Sequence, residues 1–233
     1  MSAAPGIPCV SVIMPVYNGE KFLRSSMESV LAQAGVRVEL IIVDGASTDG
    51  SAAIAKSFDD RVRYFCNERD TLAIARNFGI AQGTHPLIAF MSSDDLWAEH
   101  KLEKQARWLA EHPGAGICSC HTRHFLHEGS DEWPPSFAVN PPDAELAALI
   151  PETLLYRREV FNRVGLFDET YRNAADDVDW ILRAQHAGEE IGMLPEVLLF
   201  KGVHGNNVTY SRPGVQSDLL RALHGRVRRK AGQ

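Results

Sequence analysis

Through the first hundred or so residues, short apolar runs alternate with amphipathic segments of helical length. Residues 10–15, 38–44, 62–66 and 87–91 read as strands, and residues 20–33, 51–57, 72–81 and 99–111 as helices. Strands built almost entirely of apolar residues are buried on both faces. With a helix between each pair they predict a mostly parallel sheet covered on both sides, an α/β fold. The second half is less regular. Residues 129–143 are rich in Pro, Asp and Ser and read as a loop over the sheet rather than a linker. A strand at 153–156, a helix at 159–164, a helix at 177–188, a strand at 197–200 and a terminal helix follow. No internal repeat is present, and one domain spanning 1–233 is the simplest division. It has a nucleotide-type half (8–112), an acceptor-type half (113–215) and a basic C-terminal helix (216–233).

Composition narrows the class. The chain is 45% hydrophobic and 23% charged, as in soluble globular proteins, and 24 basic against 30 acidic side chains leave a net charge of -6. That balance argues against a nucleic-acid partner. Arg221, Arg226, Arg228, Arg229 and Lys230 depart from it, as a solvated helix or as a peripheral contact with an anionic membrane surface. No apolar run approaches the ~20 residues that span a bilayer, and residues 1–5 lack the charge and apolar core of a signal peptide. The expectation is a cytoplasmic protein. Cys9, Cys66, Cys118 and Cys120 are too few and scattered for a disulfide framework.

Four places carry candidate chemistry. The run 87–91 leads directly into Ser92, Ser93, Asp94 and Asp95, putting two carboxylates at the carboxyl end of a buried strand, where open α/β sheets bind ligands. Their natural partner is a divalent cation carrying a phosphorylated substrate; the alternative is an exposed pair capping the next helix. Asp44 ends the second strand beside a small-residue turn in which Ser47, Thr48 and Asp49 are candidate caps. It could accept from a base N–H or a ribose hydroxyl, or simply shape the turn. Asp176, Asp177 and Asp179 open a helix, more acid than capping needs, so one is a candidate general base. His204, among glycine and polar residues, is a metal or phosphate ligand or a surface histidine. The spacing of Cys118, Cys120, His121, His124 and His127 matches no common zinc arrangement.

Taken in order, these segments resemble the family-two glycosyltransferases, inverting enzymes of the nucleotide-sugar-binding GT-A fold. The resemblance is carried by 10–19, by 41–44 with 47–50, by Ala75-Arg76-Asn77-Phe78-Gly79, by 88–97, by 157–169, by Asp176-Asp177-Val178-Asp179 and by 204–208. It implies that Pro15, Val16, Tyr17 and Asp44 hold the base and ribose, that Arg76 and Ser93 lie near the nucleotide, and that Asp94 faces the ribose. It also implies that Asp95, helped by His204, binds Mn²⁺ or Mg²⁺ on the diphosphate. Asp177 matches the catalytic base. The implied donor is a nucleotide sugar, a UDP-sugar first of all, and the acceptor a glycan, a lipid-linked sugar or a small molecule. The chain departs from the pattern at Ser92, where many members have Asp, at Gly45-Ala46, which replaces Asp-Gly, and at Asp176, which replaces Glu. A sugar nucleotidyltransferase would need a basic, glycine-rich loop after the first strand, and Pro15 to Lys21 is a poor one. A binding protein that has lost catalysis is the other rival; Ser92 favours it, while Asp94, Asp95 and Asp177 oppose it.

Overall fold

The computed structural model describes residues 6–68, 71–128, 133, 144–171, 175–204 and 218–222. The first half alternates as expected: β1 (Cys9–Val16), α1 (Glu20–Leu31), β2 (Arg37–Asp44), α2 (Ser51–Lys56), β3 (Val62–Cys66), α3 (Leu72–Gln82), β4 (Leu87–Phe90) and α4 (Lys101–Glu111), with a two-residue strand β5 (Leu96–Trp97) before α4. The second half holds β6 (Ile117–Leu126), β7 (Leu146–Ala147), a 3-10 turn (Pro151–Thr153), β8 (Leu155–Arg157), α5 (Glu159–Val164), α6 (Asp176–His186) and β9 (Ile191–Val203). All nine strands join one sheet in the order β3-β2-β1-β4-β8-β6-β9-β5, with β7 on the side of β6. The β3-β2-β1-β4 part is parallel throughout; β8 joins it antiparallel, and β6 and β9 run parallel to each other.

Alternate side chains of one strand leave opposite faces, and here both faces are covered. Val10, Val12, Met14, Leu40, Ile42 and Ala89 pack in one core with Leu23, Met27 and Val30 of α1 and Leu102 and Leu109 of α4. Ile13, Ile41, Val43, Ile88 and Phe90 pack in the other with Ile80 of α3, Phe161 of α5 and Trp180 of α6. Helix α3 approaches so closely that a Cβ on Gly79 would meet Ile13 Cγ2 at 2.3 Å. The chain steps from β1 outward to β3, then crosses back to place β4 on the other side of β1. Open α/β sheets bind ligands where the strand order reverses, which here falls between the loops after β1 and β4.

Several strands differ from the sequence reading, and β5 and β7 were not read from it. β9 is 13 residues long, not four, because a bulge opposite His121 absorbs Pro195 and its neighbours, which cannot continue a regular ladder. β6 carries Ser119, His121 and Thr122 among its apolar residues and shows no clean alternation, so its hydrophobic pattern did not reveal it. The strand expected at 153–156 begins at Leu155, the 3-10 turn occupying the residues before it. Apart from Trp133, residues 129–143 lie outside the described residues, as does the tail beyond Ala222. Among the described residues no helix is long and apolar enough to cross a membrane.

Candidate active site

The loops after β1 and β2 are laced together at the sheet's carboxyl edge. Asn18 N–H donates to Ser47 Oγ (2.9 Å), Thr48 N–H to Asn18 Oδ1 (2.8 Å), Gly19 N–H to Ser51 Oγ (2.9 Å) and Glu20 N–H to Asp49 Oδ2 (3.0 Å). Ser47 and Thr48 therefore serve this lacing rather than capping α2, whose N-cap is Gly50. Asp44 is buried; its Oδ1 accepts from Ser47 N–H (2.8 Å) and its Oδ2 from the Tyr64 hydroxyl (2.7 Å). It shapes the turn, and only its remaining lone pairs are open to a ligand. Val16 is buried and gives its carbonyl to Gly45 N–H, Pro15 is half-buried, and the Tyr17 ring is 59% exposed. Ser93 sits against the same loop, where a Cβ on Gly19 would meet its Oγ at 3.0 Å.

Asp94 and Asp95 face different surroundings. The Asp95 carboxylate is fully buried, with Oδ2 accepting from Lys201 Nζ at 3.1 Å and Oδ1 from Gly202 N–H at 2.9 Å. Burial pushes this carboxyl up to about 7, with Lys201 pulling against it and Asp94 and Glu152 adding to it. Burial also works against the Lys201 ammonium, but Asp95, Glu152 and Asp94 outweigh it and raise its pKa. The Asp94 side chain is 22% exposed, and its Oδ2 lies 3.1 Å from His204 Nε2. Burial alone would raise Asp94; the His204 hydrogen bond and the Lys201 charge bring it below the ordinary carboxylate value. The resemblance put Asp95 on the metal and Asp94 on the ribose. Both lie in the turn between β4 and β5, where Asp95 turns inward and Asp94 stays partly exposed.

Several groups fix Asp94. His127 Nε2 donates to its carbonyl (2.7 Å), and the Phe22 ring stacks on His127 at 3.8 Å and lies 4.8 Å from His204. Gly202 is glycine for want of room: a Cβ there would lie 2.0 Å from the Asp94 carbonyl oxygen. The Asp94 carboxylate is a donor suited to Mn²⁺ or Mg²⁺, the neighbouring His204 imidazole suits Mn²⁺ better than the harder Mg²⁺, and a cation would take the place of the proton between them. Among the described residues no group of three or more His, Cys, Asp or Glu side chains is arranged to hold a metal, so such an ion would draw further ligands from a phosphorylated substrate and water. Cys118 and Cys120 are buried in the core near Lys101; burial pushes the Cys118 thiol up to about 12.

The third part is the start of α6. Its N-cap, Ala175, has φ of 73°, a left-handed backbone that non-glycine residues rarely adopt. Asn18 and Ala46, also at positive φ, sit on the loops after β1 and β2. Such strain gathers at functional sites. Asp177 is half-buried and accepts from Val178 N–H (2.8 Å). Burial pushes its pKa up; Arg76 opposes this, and the Asp176 and Glu152 charges add to it. Arg76 stands among acidic side chains. It is buried, with Nη1 2.5 Å from Asp176 Oδ2, Nη2 3.8 Å from Glu152 Oε1 and the guanidinium 5.4 Å from the Phe167 ring centre. Next to it, Asn77 donates to the Phe167 carbonyl (2.9 Å) and accepts from Phe167 N–H (3.0 Å), tying the approach to α6 onto α3.

Sequence reasoning missed Glu152 and Lys201. Each is a charged residue abutting an apolar strand, which is the signal that could have found them. In the basic tail, Arg221 is the described member. It donates to Thr170 Oγ1 (2.6 Å) and lies 4.7 Å over the Tyr171 ring, while Ala222 packs with Tyr171 and Ala175.

The family model described as glycosyl transferase family 2 matches residues 11–171. The putative teichuronic acid biosynthesis glycosyltransferase TuaG of Bacillus subtilis is 38% identical over 108 residues, 45% of this chain and 43% of TuaG. The crystal structure of S. aureus TarS 1–349 in complex with UDP-GlcNAc matches with a TM-score of 0.75 at 20% identity, covering 94% of this chain and 66% of that one. Mannosyltransferase PcManGT from Pyrobaculum calidifontis, in complex with GDP-Man and Mn²⁺, matches with a TM-score of 0.66 at 22% identity, covering 94% and 69%. At such identities the likeness is one of fold, and the fold is GT-A. The chain spans 27% to 63% of the length of the curated relatives it matches.

Proposed function

The chain belongs to glycosyl transferase family 2, and from that membership we propose that it moves one sugar from a nucleotide-sugar donor, a UDP-sugar, to an acceptor hydroxyl with inversion at the anomeric carbon. The observation that supports this reading is one chain of contacts running from Ser92, after β4, through Glu152 and Arg76 to Asp176, the neighbour of Asp177 on α6. TarS, bound to UDP-GlcNAc in its crystal structure, supports the donor class. TuaG, named for teichuronic acid biosynthesis, supports an acceptor in a cell-envelope polysaccharide.

In this reading the nucleotide half presents the exposed Tyr17 ring and the main chain of Pro15 and Val16 to the base. Asp44 fixes the turn that closes on it and offers a remaining lone pair. Ser93 and Asp94 border the ribose and diphosphate. Asp94 and His204, not Asp95, would hold Mn²⁺ or Mg²⁺. Bound there, the ion would offset the charge gathering on the departing diphosphate. Lys201 and Gly202 hold the Asp95 carboxylate and so anchor the turn that carries Asp94. Asp177 accepts the proton from the acceptor hydroxyl as that oxygen attacks; its raised pKa suits a base near neutral pH. Arg76 holds Asp176 rather than the nucleotide.

A panel of UDP-, GDP- and dTDP-sugars tested by thermal shift, with Mn²⁺ or with chelator, checks the reading. At about a hundred times its dissociation constant a cognate donor stabilises the fold by ~2.7 kcal/mol, a rise of several degrees in Tm. One nucleotide class should give that rise, more strongly with metal, and should release nucleoside diphosphate slowly. A panel with neither shift nor release contradicts it.

A further inference from the structure

We propose that Glu152 is a positioning residue for the transfer reaction, holding the second nitrogen of Arg76 away from Asp177 and so keeping that carboxylate available as the base. The inference rests on the role given to Asp177 above and adds a residue to it.

The geometry begins with a rigid support. Glu152 is the middle residue of the 3-10 turn, and its neighbour Thr153 is bound on several sides: Gln105 Nε2 donates to the Thr153 carbonyl (2.7 Å), and Ser119 Oγ to Thr153 Oγ1 (3.0 Å). The Glu152 carbonyl accepts from Trp97 Nε1 at 3.2 Å. The carboxylate is buried, with Oε1 accepting from Ser92 Oγ at 2.9 Å and standing 3.8 Å from Arg76 Nη2. A buried carboxylate is costly unless its charge is matched. Ser92 needs only an acceptor, which an amide would supply, so the charge answers to Arg76.

Arg76 has three carboxylates around one guanidinium. Burial disfavours its charge, but Asp176, Asp177 and Glu152 together raise its pKa. The planar fork presents Nη1 to Asp176, Nη2 toward Glu152 and one face to Phe167. Without the Glu152 charge, Nη2 loses its described acidic neighbour, and Asp177, next to the Asp176 that Nη1 already holds, is a further carboxylate whose charge acts on Arg76. A direct pair with Arg76 would hold Asp177 ionised to lower pH and weaken it as a base. The charged and titratable groups that act on or feel Asp177 come from each element packed around it: Arg76 on α3, Asp176 on its own helix, Glu152 on the turn and Tyr156 on β8. Removing Glu152 shifts this balance in one direction only, since a raising charge is lost and a lowering one is released.

The test compares wild type, Glu152→Gln and the double variant Ser92→Asp/Glu152→Gln, which moves the carboxylate across the 2.9 Å hydrogen bond to the other partner. Glu152→Gln should lower kcat about five- to twenty-fold, leave donor KM within about three-fold, and move the acidic limb of the kcat profile down by about half to one pH unit. The double variant should restore most of the rate and return the limb. A carbon-13 titration of the Asp177 carboxyl reads the same shift without turnover. If wild type neither transfers nor hydrolyses any donor, the transferase reading fails while the titration still decides the place of Glu152. A Glu152→Gln enzyme with the wild-type rate and limb overturns the proposal. If that variant does not fold, the double variant must restore folding and rate together, and its failure overturns the proposal equally.

Discussion

The two aspartates at the end of β4 should separate cleanly when each is replaced by asparagine. Asp95 is fully buried and takes one bond from Lys201 Nζ and one from Gly202 N–H. Asparagine keeps an oxygen for the Gly202 N–H but loses the charge facing the ammonium. Breaking a buried pair costs about 3–5 kcal/mol, and a charge-assisted hydrogen bond alone about 1.5–3. The Lys201 side chain is 27% exposed, so a stranded ammonium can still reach water. We therefore expect Asp95→Asn to lose ~2–3 kcal/mol of stability. Burial, which raises the Asp95 pKa, works against this loss, while the pairing that raises the Lys201 pKa works for it; the net should appear as a fall of at most about 1 M in the urea midpoint at pH 8. Asp94→Asn, at a partly exposed site, should lose under ~1 kcal/mol yet abolish the Mn²⁺-dependent part of nucleotide affinity measured by calorimetry. The reverse pattern, with Asp95→Asn stable but blind to metal and Asp94→Asn still responding to it, would refute the assignment.

Three further outcomes follow from particular contacts. Glu39 is lowered from an ordinary 4.5 to about 2: burial opposes the shift, but the Thr84 N–H, the Ser11 and Thr84 hydroxyls and Arg63 outweigh it. Its contribution, at most ~3 kcal/mol, is complete above pH 4.5 and is lost as pH falls toward 2, so Glu39→Gln should flatten the acid side of a Tm-versus-pH curve; an unchanged slope would count against it. Ala175→Gly relieves a left-handed backbone but gives up a buried methyl worth about 0.8 kcal/mol, so Tm should stay within about 2 °C of wild type, with a fall of more than about 5 °C as the contrary result. A chain ending after Ala222 keeps the Arg221 contacts and should bind anionic vesicles more weakly at low salt than the full chain; equal binding would dismiss a membrane role for the remaining basic residues.

How much of this could be read beforehand follows from which signals are local. β1, β2 and β4 were legible because burial on both faces leaves an unbroken apolar run, and the carboxylates after β4 were legible because they interrupt one. β9 was read short because Pro195 forbids a regular ladder, and no local pattern shows that a bulge lets the strand continue. The resemblance implied Arg76 near the nucleotide and Asp95 on the metal, and says nothing of the protein contacts each makes. Their partners are distant in sequence, Asp176 for the first and Lys201 for the second. Pairing across such a span depends on the sheet order, which a run of residues does not contain.

The central claim, that Asp177 is the base of a nucleotide-sugar transferase, is tested most directly by Asp177→Asn in an assay that follows donor affinity and turnover on the same preparation. Asparagine keeps the shape of the side chain and removes the oxygen that takes the proton. Turnover should fall by roughly 10²- to 10⁴-fold, the usual share of general-base catalysis, while donor affinity stays within a few-fold. Near-wild-type turnover in Asp177→Asn, with Asp176→Asn or Asp179→Asn abolishing transfer in its place, would contradict the account.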